Sequence, residues 1–253
     1  MTAISETDFE LNIEALSERS KFVKILVYGE SGVGKTVFAS TAPRPILWLE
    51  SEGGTNSIAD PKGIDIVRVD NLNTYREALL FLKSKKGAKY KTVVLDSFTE
   101  TQATVLKEIM KFAQTKDPTR DEFAPQLQDY QRMTGMMREI VRGFRDLDMH
   151  VIITALSRED KDELTAKVRV APRLSPAIAS EIPGFMDAMI MAYTATDDNG
   201  ELEEGEQPEI HRNFLLVPTG KYAAKVRAPE GSEVPTVLRN AKFEDIAKIV
   251  LGS

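Results

Sequence analysis

FVKILVYGESGVGKTVFAS, residues 22–40, is the stretch of sequence that decides the fold. Its first part, Phe22–Tyr28, is a run of apolar and β-branched residues, which predicts a buried strand. The next residues, Gly29–Thr36, match the pattern G-x-x-x-x-G-K-[ST] and lead into a helix-forming segment. A strand, a glycine-rich turn and a helix in this order are the context that the motif requires, so a chance glycine-rich turn is a poor explanation.

The residue types in Gly29–Thr36 suit the binding of phosphate. Glycines let successive backbone N–H groups point at phosphate oxygens, and the start of the following helix adds a positive dipole end. Lys35 is expected to reach the β- and γ-phosphates of a nucleotide, and the Thr36 hydroxyl to bind Mg²⁺. We therefore predict a site for ATP and Mg²⁺, with nucleotide contacts from Gly29, Glu30, Ser31, Gly32, Val33, Gly34, Lys35, Thr36 and Val37.

A second part of the site is predicted at Asp96. The run Thr92–Leu95 is β-branched and apolar, and Asp96 follows it at the carboxyl end of the predicted strand. Ligands of open α/β sheets bind at this edge. Asp96 is therefore interpreted as the acid that holds Mg²⁺ through water. The alternative is a strand-end aspartate that caps the next turn.

Hydrolysis also needs a group that positions or activates water. Ser97 follows Asp96 where many ATPases have a second acid, so the candidates come from the end of an earlier strand, at Glu50 and Glu52. Alternation along an extended strand would send both carboxylates to the same side, next to a glycine pair that lets the backbone turn. Glu52 is predicted as the catalytic carboxylate and Glu50 is the second choice. The alternative is two solvated acids in a turn.

The rest of the chain alternates short β-rich runs with helical periodicity, which predicts an α/β fold with a mainly parallel central sheet flanked by helices. Further strands are predicted at Pro45–Glu50, Ile64–Val69, Thr92–Asp96 and His150–Leu156, and helices at Asn73–Lys86, Thr101–Gln114, Gln126–Leu147 and Phe243–Leu251. Later strands at Asp187–Thr196, Asn213–Thr219 and Tyr222–Arg227 predict an antiparallel C-terminal extension. We predict one domain over residues 1–253, with residues 1–20 as an N-terminal extension.

Composition excludes several classes of protein. The chain of 253 residues contains no cysteine, which excludes disulfides, thiolate metal sites and cysteine nucleophiles. Its apolar runs are too short to cross a bilayer and residues 1–21 lack the apolar core of a signal peptide, so we expect a cytoplasmic protein without a membrane partner. The net charge of −6 argues against coating duplex nucleic acid by charge alone, but it leaves room for a local DNA-binding loop.

These motifs resemble those of the RecA-like ATPase core: the P-loop Gly29–Thr36, a glutamate beyond the next strand, and Asp96 without a second acid after it. More closely, the chain resembles the small phage-type nucleotide-binding proteins of that superfamily, some of which are single-strand annealing recombinases. The resemblance implies a RecA-like ATPase that acts on single-stranded DNA, in the bacterial host cytoplasm if it is phage-encoded. It also implies a homo-oligomer with shared ATP sites and a single-strand binding protein as a further partner.

The sensor that couples ATP to DNA in RecA relatives is not matched in this sequence. In those proteins the strand after the Mg²⁺-binding acid ends in a polar residue, usually glutamine. Ala155 stands at that place here, so the sensor is Thr154, Ser157 or absent.

The following segment, Arg158–Ile182, corresponds by position to the mobile DNA-contacting loop of RecA-like proteins. It contains acidic as well as basic residues, and the basic ones concentrate in its second half. Lys167, Arg169 and Arg173 are therefore expected to contact DNA phosphates. A solvated loop is the alternative interpretation.

Lys225 and Arg227 lie two residues apart in a predicted late strand, which places them on one face. In RecA-like assemblies, basic residues on a late strand reach the γ-phosphate of the neighbouring subunit. By that resemblance Lys225 and Arg227 are predicted to act in trans and to contribute on the order of a thousandfold to the rate. The alternative is a pair of edge-strand charges that discourage aggregation.

Two other functions are compatible with a P-loop. One is a small-molecule kinase, against which the sequence offers no arginine-rich lid after the central helices. The other is an ATP-binding adaptor that does not hydrolyse its nucleotide.

Overall fold

The computed structural model describes residues 22–161, 166–196 and 209–252. Its strands are β1 (Lys24–Gly29), β2 (Ile46–Glu50), β3 (Ile64–Arg68), β4 (Thr92–Asp96), β5 (His150–Lys161), β6 (Val168–Pro172), β7 (Ala188–Thr196), β8 (Ile210–Leu215), β9 (Lys225–Val226) and β10 (Val237–Arg239). Its α-helices are α1 (Lys35–Ser40), α2 (Leu72–Leu82), α3 (Phe98–Lys116), α4 (Leu127–Arg145), α5 (Pro176–Phe185) and α6 (Phe243–Leu251).

One sheet, in the order β10-β8-β7-β1-β5-β4-β2-β3, forms the centre of the fold. The strands from β7 to β3 in that order are parallel. Beyond β7, the strands β8 and β10 continue the sheet in antiparallel fashion, and β9 pairs with the beginning of β7. Because the parallel strands run in one direction, Gly29, Glu50 and Asp96 reach the same edge of the sheet, called the C-terminal edge below.

Both faces of the sheet are buried, which explains why its central strands are apolar without alternation. Leu26 of β1 packs into a layer formed with α2, α3 and α4, whereas Ile25 points into the opposite layer with Phe38 of α1 and Phe243 of α6. The predicted fold class is confirmed as α/β, with a mainly parallel central sheet, flanking helices and antiparallel strands near the C-terminus.

The segment Arg158–Ile182 is not a loop, and that prediction is wrong. β5 continues to Lys161 and pairs with β6, so the segment begins as a β-hairpin and ends in α5. The apolar pattern stopped short of this part of β5 because the hairpin projects into solvent, where Glu159 and Lys161 are exposed and no core selects apolar residues. The tip of the hairpin, residues 162–165, lies outside the described residues.

The strands near the C-terminus also differ in detail from the prediction. β7 is a parallel neighbour of β1, so the antiparallel extension begins only with β8. The strand predicted over Tyr222–Arg227 consists of Lys225 and Val226 alone, and β10 was not predicted. Strands of two or three residues carry no measurable periodicity, because their position is set by the partner strand rather than by their own sequence.

The single domain over residues 1–253 stays a prediction, since the N-terminal extension 1–20 and the acidic stretch 197–208 lie outside the described residues. In the part of the chain that is described, no helix has the length and apolar character needed to cross a bilayer.

Candidate nucleotide-binding site

The P-loop turns at the C-terminal edge of the sheet, between β1 and α1. Gly32 and Gly34 have φ angles of 81° and 95°, a region that residues with a Cβ rarely adopt, so the motif's glycines are needed for the backbone path. Val33 between them is buried under the loop, whereas Glu30 and Ser31 are exposed. The loop is therefore anchored by one apolar side chain and presents its backbone to solvent at the predicted phosphate position.

The Lys35 side chain lies inside the curve of the loop. Its ammonium donates to the carbonyls of Gly29 at 3.1 Å and Glu30 at 2.6 Å. Burial lowers the pKa of Lys35, and the nearby charges of Asp96 and Glu52 act in the opposite direction. A cation that is removed from water and faces the loop is in place to gain from an incoming phosphate.

The side chains of Thr36 and Asp96, the two predicted Mg²⁺ ligands, are in direct contact. The Thr36 hydroxyl donates to the Asp96 carboxylate at 3.0 Å, and the buried Thr154 hydroxyl donates to its other oxygen at 2.5 Å. Burial raises the pKa of Asp96, and both hydroxyl contacts counteract that rise. A carboxylate and a hydroxyl are hard oxygen ligands, the kind that Mg²⁺ takes from a protein while it keeps water and phosphate oxygens.

No group of three or more His, Asp or Glu side chains suited to a metal occurs among the described residues. The donor set at Thr36 and Asp96 thus fits an ion that arrives with a nucleotide rather than one held by the protein alone. A methyl group added at Gly54 would lie 3.4 Å from the Thr36 hydroxyl oxygen, so the turn after β2 closes over this side of the site.

Glu50 and Glu52 have different surroundings. β2 ends at Glu50, so strand alternation does not continue to Glu52 as the prediction assumed. The buried Glu50 carboxylate accepts from the backbone N–H and the hydroxyl of Thr55, at 3.2 and 2.5 Å. Glu52 is exposed, accepts a short hydrogen bond from the Ser97 hydroxyl, and affects the pKa values of both Lys35 and Asp96.

A chain of hydroxyl groups supports the two segments that carry Glu52 and Ser97. The buried Tyr75 hydroxyl of α2 lies 3.1 Å from the Ser51 hydroxyl and 2.5 Å from the Thr101 hydroxyl. Thr101 in turn donates to the Ser97 carbonyl at 3.0 Å. The sequence did not predict this network, because hydrogen bonds between hydroxyls of distant segments leave no mark in the periodicity of a helix.

The two candidate sensor residues, Thr154 and Ser157, both lie in β5 but differ in burial. Thr154 is buried and bonded to Asp96, so it contacts the predicted Mg²⁺ ligand rather than facing an open phosphate position. Ser157 lies three residues further along, opposite Pro172 of β6. The role of either residue as a sensor stays a prediction.

The predicted DNA-contacting residues are carried by the β5–β6 hairpin and the turn after it. Lys167, Arg169 and Arg173 are all exposed. The other arginine of the segment, Arg158, is engaged with Asp160 at 2.8 Å and with the Leu174 carbonyl at 3.0 Å, so it is less available to a ligand.

Lys225 and Arg227 are far from the P-loop of their own chain. β9 pairs with the first residues of β7, at the edge of the sheet opposite to the C-terminal edge. Lys225 donates to the Pro183 carbonyl, and Arg227 donates to the Gly184 carbonyl at 2.8 Å. Both side chains therefore bind the carboxyl end of α5 within the chain, and their predicted role on a neighbour's nucleotide stays a prediction.

One basic residue beside the P-loop was not predicted at all. Arg212 of β8 packs its side chain against Gly34. The sequence signal was weak, since a single arginine in a short strand after an acidic stretch resembles an ordinary edge-strand charge.

Comparison with known proteins gives one family and several distant structural relatives. The family described as "AAA domain" matches residues 21–228, which include the P-loop, Asp96 and the β5–β6 hairpin. No curated protein matches the chain.

Among solved structures, the chain is similar to a KaiC-like protein of the archaeon Pyrococcus horikoshii, with 15% identity over 76% of this chain and 77% of that chain and a TM-score of 0.43. It is also similar to the flagellar accessory protein FlaH of Methanocaldococcus jannaschii, with 11% identity, 79% and 78% coverage and a TM-score of 0.39. A RadB recombinase gives 15% identity, 76% and 79% coverage and a TM-score of 0.38. Likeness at this distance carries no information about substrate or partner.

Proposed function

The chain belongs to the AAA-domain family, a family of nucleotide-binding ATPases, and we propose that it hydrolyses ATP with Mg²⁺ when bound to single-stranded DNA. The observation that supports the ATPase part is the meeting of Lys35, Thr36, Asp96 and Glu52 at the C-terminal edge of the sheet. These side chains supply a cation for the terminal phosphates, oxygen ligands for Mg²⁺ and a carboxylate for water.

In the proposed reaction, water attacks the γ-phosphorus and the bond to the β,γ-bridging oxygen breaks, giving ADP and phosphate. Lys35 stabilises the negative charge of the phosphates. A Mg²⁺ ion held by Thr36 and Asp96 would supply further positive charge there. The exposed Glu52 carboxylate orients the attacking water and accepts its proton. The Ser97 hydroxyl, which donates to Glu52, fixes the direction of that carboxylate.

The β5–β6 hairpin supports the DNA part of the proposal. β5 pairs with the end of β1 at Gly29 through Leu156 and continues to Lys161, so the hairpin extends about 16 Å beyond the end of β1. The same strand holds Thr154 against Asp96. β5 therefore joins the exposed basic residues of the hairpin to the proposed Mg²⁺ site. DNA that binds these residues could change the position of Thr154, and with it that of Asp96.

The cellular role that we propose is phage-type recombination or annealing, in a homo-oligomer with shared ATP sites and together with a single-strand binding protein. It rests on the resemblance of Gly29–Thr36, Asp96 and Glu52 to the corresponding motifs of phage-type RecA-like proteins.

The test is ATP turnover, measured with and without single-stranded DNA over a range of protein concentrations. We expect turnover that DNA stimulates and that rises faster than linearly with protein concentration. Transfer of the γ-phosphate to a nucleotide acceptor would instead identify a small-molecule kinase. Tight ATP binding without turnover, with DNA present, would identify a non-hydrolysing adaptor.

A further inference from the structure

The side chain of Arg212, a residue outside the motif, packs against the P-loop at Gly34. A methyl group placed on Gly34 would lie 2.4 Å from Arg212 Cδ and 2.6 Å from Nε, so the arginine stem lies directly against the glycine. The glycine is thus required twice, once for its φ of 95° and once to make room for this side chain.

The backbone of Arg212 is fixed by Asn240 on one side and by β7 on the other. Its N–H donates to the Asn240 side chain at 3.0 Å, and its carbonyl accepts from the Asn240 N–H at 2.6 Å. It also pairs with Thr194 in the β7–β8 ladder. The arginine therefore projects from a fixed strand rather than from a loop.

Within the part of the chain that the structure describes, the Arg212 guanidinium has no hydrogen-bonding or ion-pair partner. Arg212 is exposed, and among residues 22–161, 166–196 and 209–252 no acceptor or carboxylate binds its side chain. An arginine has five N–H donors and keeps its charge. A fixed cation beside a phosphate-binding loop is complementary to an anion or to a base plane.

The sheet order decides which part of a nucleotide this cation would meet. β8 lies two strands from β1 on one side, and β4 with Asp96 lies two strands from β1 on the other, so each is roughly 10 Å from the P-loop strand. Mg²⁺ and the γ-phosphate belong on the Asp96 side. A nucleotide whose β-phosphate occupies the P-loop must then direct its α-phosphate and nucleoside toward β8.

We propose that Arg212 binds the part of the nucleotide that ATP and ADP share, on the nucleoside side of the β-phosphate and within its own subunit. This inference rests on the proposed nucleotide site. It assigns Arg212 to nucleotide affinity and not to the chemical step, in contrast to the trans-acting role predicted for Lys225 and Arg227.

The test compares the affinities of Mg-ATP and Mg-ADP, measured by calorimetric titration, for the wild type, Arg212→Ala and Arg212→Gln. Arg212→Gln keeps most of the stem against Gly34 and removes the charge. In both variants we expect the affinities for Mg-ATP and Mg-ADP to fall by the same factor. That factor should be about tenfold or more, which is the scale of a charge-assisted contact. Arg212→Lys should recover part of the loss. The turnover at saturating ATP should change much less than the affinity.

Arg132→Ala, which removes an exposed arginine of α4, is the matched control and should bind as the wild type does. Unchanged affinity for both nucleotides in folded Arg212 variants would overturn the inference, as would a loss confined to ATP or to turnover. Lys35→Ala separates the two proposals: if it loses binding while Arg212→Ala keeps it, the nucleotide site stands and only the role of Arg212 fails. A wild type that binds neither nucleotide would remove both.

Discussion

At the scale of single residues, Glu50 and Glu52 show how two acids in one turn come to differ. Glu50 is turned toward Thr55 and serves the 3-10 turn at residues 54–57, whereas Glu52 reaches Ser97 next to Asp96. The sequence could predict that an acid stands here. It could not decide between the two, because the choice depends on the exact residue at which β2 ends.

Replacing Glu52 by Gln should preserve ATP binding and reduce turnover by about a hundredfold or more, the scale on which a general base contributes. The amide keeps the size of the side chain and removes the proton acceptor. Glu50→Gln is the matched control in the same turn and should retain most of the activity. The assignment is wrong if the Glu50 variant loses turnover while the Glu52 variant keeps it.

At the scale of elements, the β5–β6 hairpin differs from the loop that its sequence predicted. Arg169 lies in β6, and the sequence did not reveal this strand because an exposed hairpin has no apolar face that would show its period. The P-loop and the central strands were predictable for the opposite reason. Their backbone path or burial permits few residue types.

Neutralising Lys167, Arg169 and Arg173 together should weaken binding of single-stranded DNA. Each lost phosphate contact lowers the slope of log affinity against log salt concentration by about 0.7, so the slope should fall by about 2. Binding curves at several salt concentrations measure it. Neutralising Lys83, Lys85 and Lys86, which are three exposed lysines after α2, provides a control with the same change in net charge. An unaltered slope in the hairpin variant would place the DNA site elsewhere.

The start of β5 carries a titratable side chain, His150. Its Nδ1 accepts the Val23 N–H at 3.1 Å, and its ring packs between Phe22 and Phe243. Burial, with a smaller contribution from the Lys24 charge, lowers the pKa of His150 to about 4 from an ordinary value of 6.5. The folded protein therefore binds this proton less readily than the unfolded chain does.

Stability contributed by neutral His150 is complete above pH 6.5 and is lost as the pH falls toward 4. The full loss amounts to up to about 3 kcal/mol in the free energy of unfolding. Urea unfolding at pH 7 and at pH 5 measures the larger part of this loss, because pH 5 lies between the two pKa values. His150→Asn keeps an acceptor near the Nδ1 position and should show a smaller difference between the two pH values. An equal difference in the variant would assign the acid sensitivity to other groups.

At the scale of the whole molecule, Lys225 and Arg227 lie at the opposite edge of the sheet from the nucleotide site, so they cannot act on the nucleotide of their own chain. Only a neighbouring subunit could bring them to a γ-phosphate. The sequence predicted one strand, Tyr222–Arg227, that carries both residues, whereas β9 contains Lys225 and ends at Val226, one residue before Arg227. The sequence could not show that their charged groups already bind the end of α5, since that contact depends on the packing of distant segments.

Mixing two inactive variants tests the role in trans. Arg227→Ala subunits have an intact P-loop, and Lys35→Ala subunits have an intact Arg227. Each alone should be nearly inactive, and the mixture should recover part of the activity at shared interfaces, because a cation stabilises the transition state most in a site closed off from water. If both variants assemble together and the mixture stays inactive, Lys225 and Arg227 are structural caps of α5.

Binding of the ATP phosphates by Gly29–Thr36 is tested most directly by the affinity of the folded Lys35→Ala variant for Mg-ATP, measured beside that of the wild type. Lys35 is the one charged side chain inside the loop among the described residues, and its ammonium binds the loop carbonyls at 2.6 and 3.1 Å. Circular dichroism verifies that the variant is folded. We expect at least a hundredfold loss of affinity, because the loop loses the charge that faces the β- and γ-phosphates. An affinity equal to that of the wild type would contradict the assignment of the P-loop.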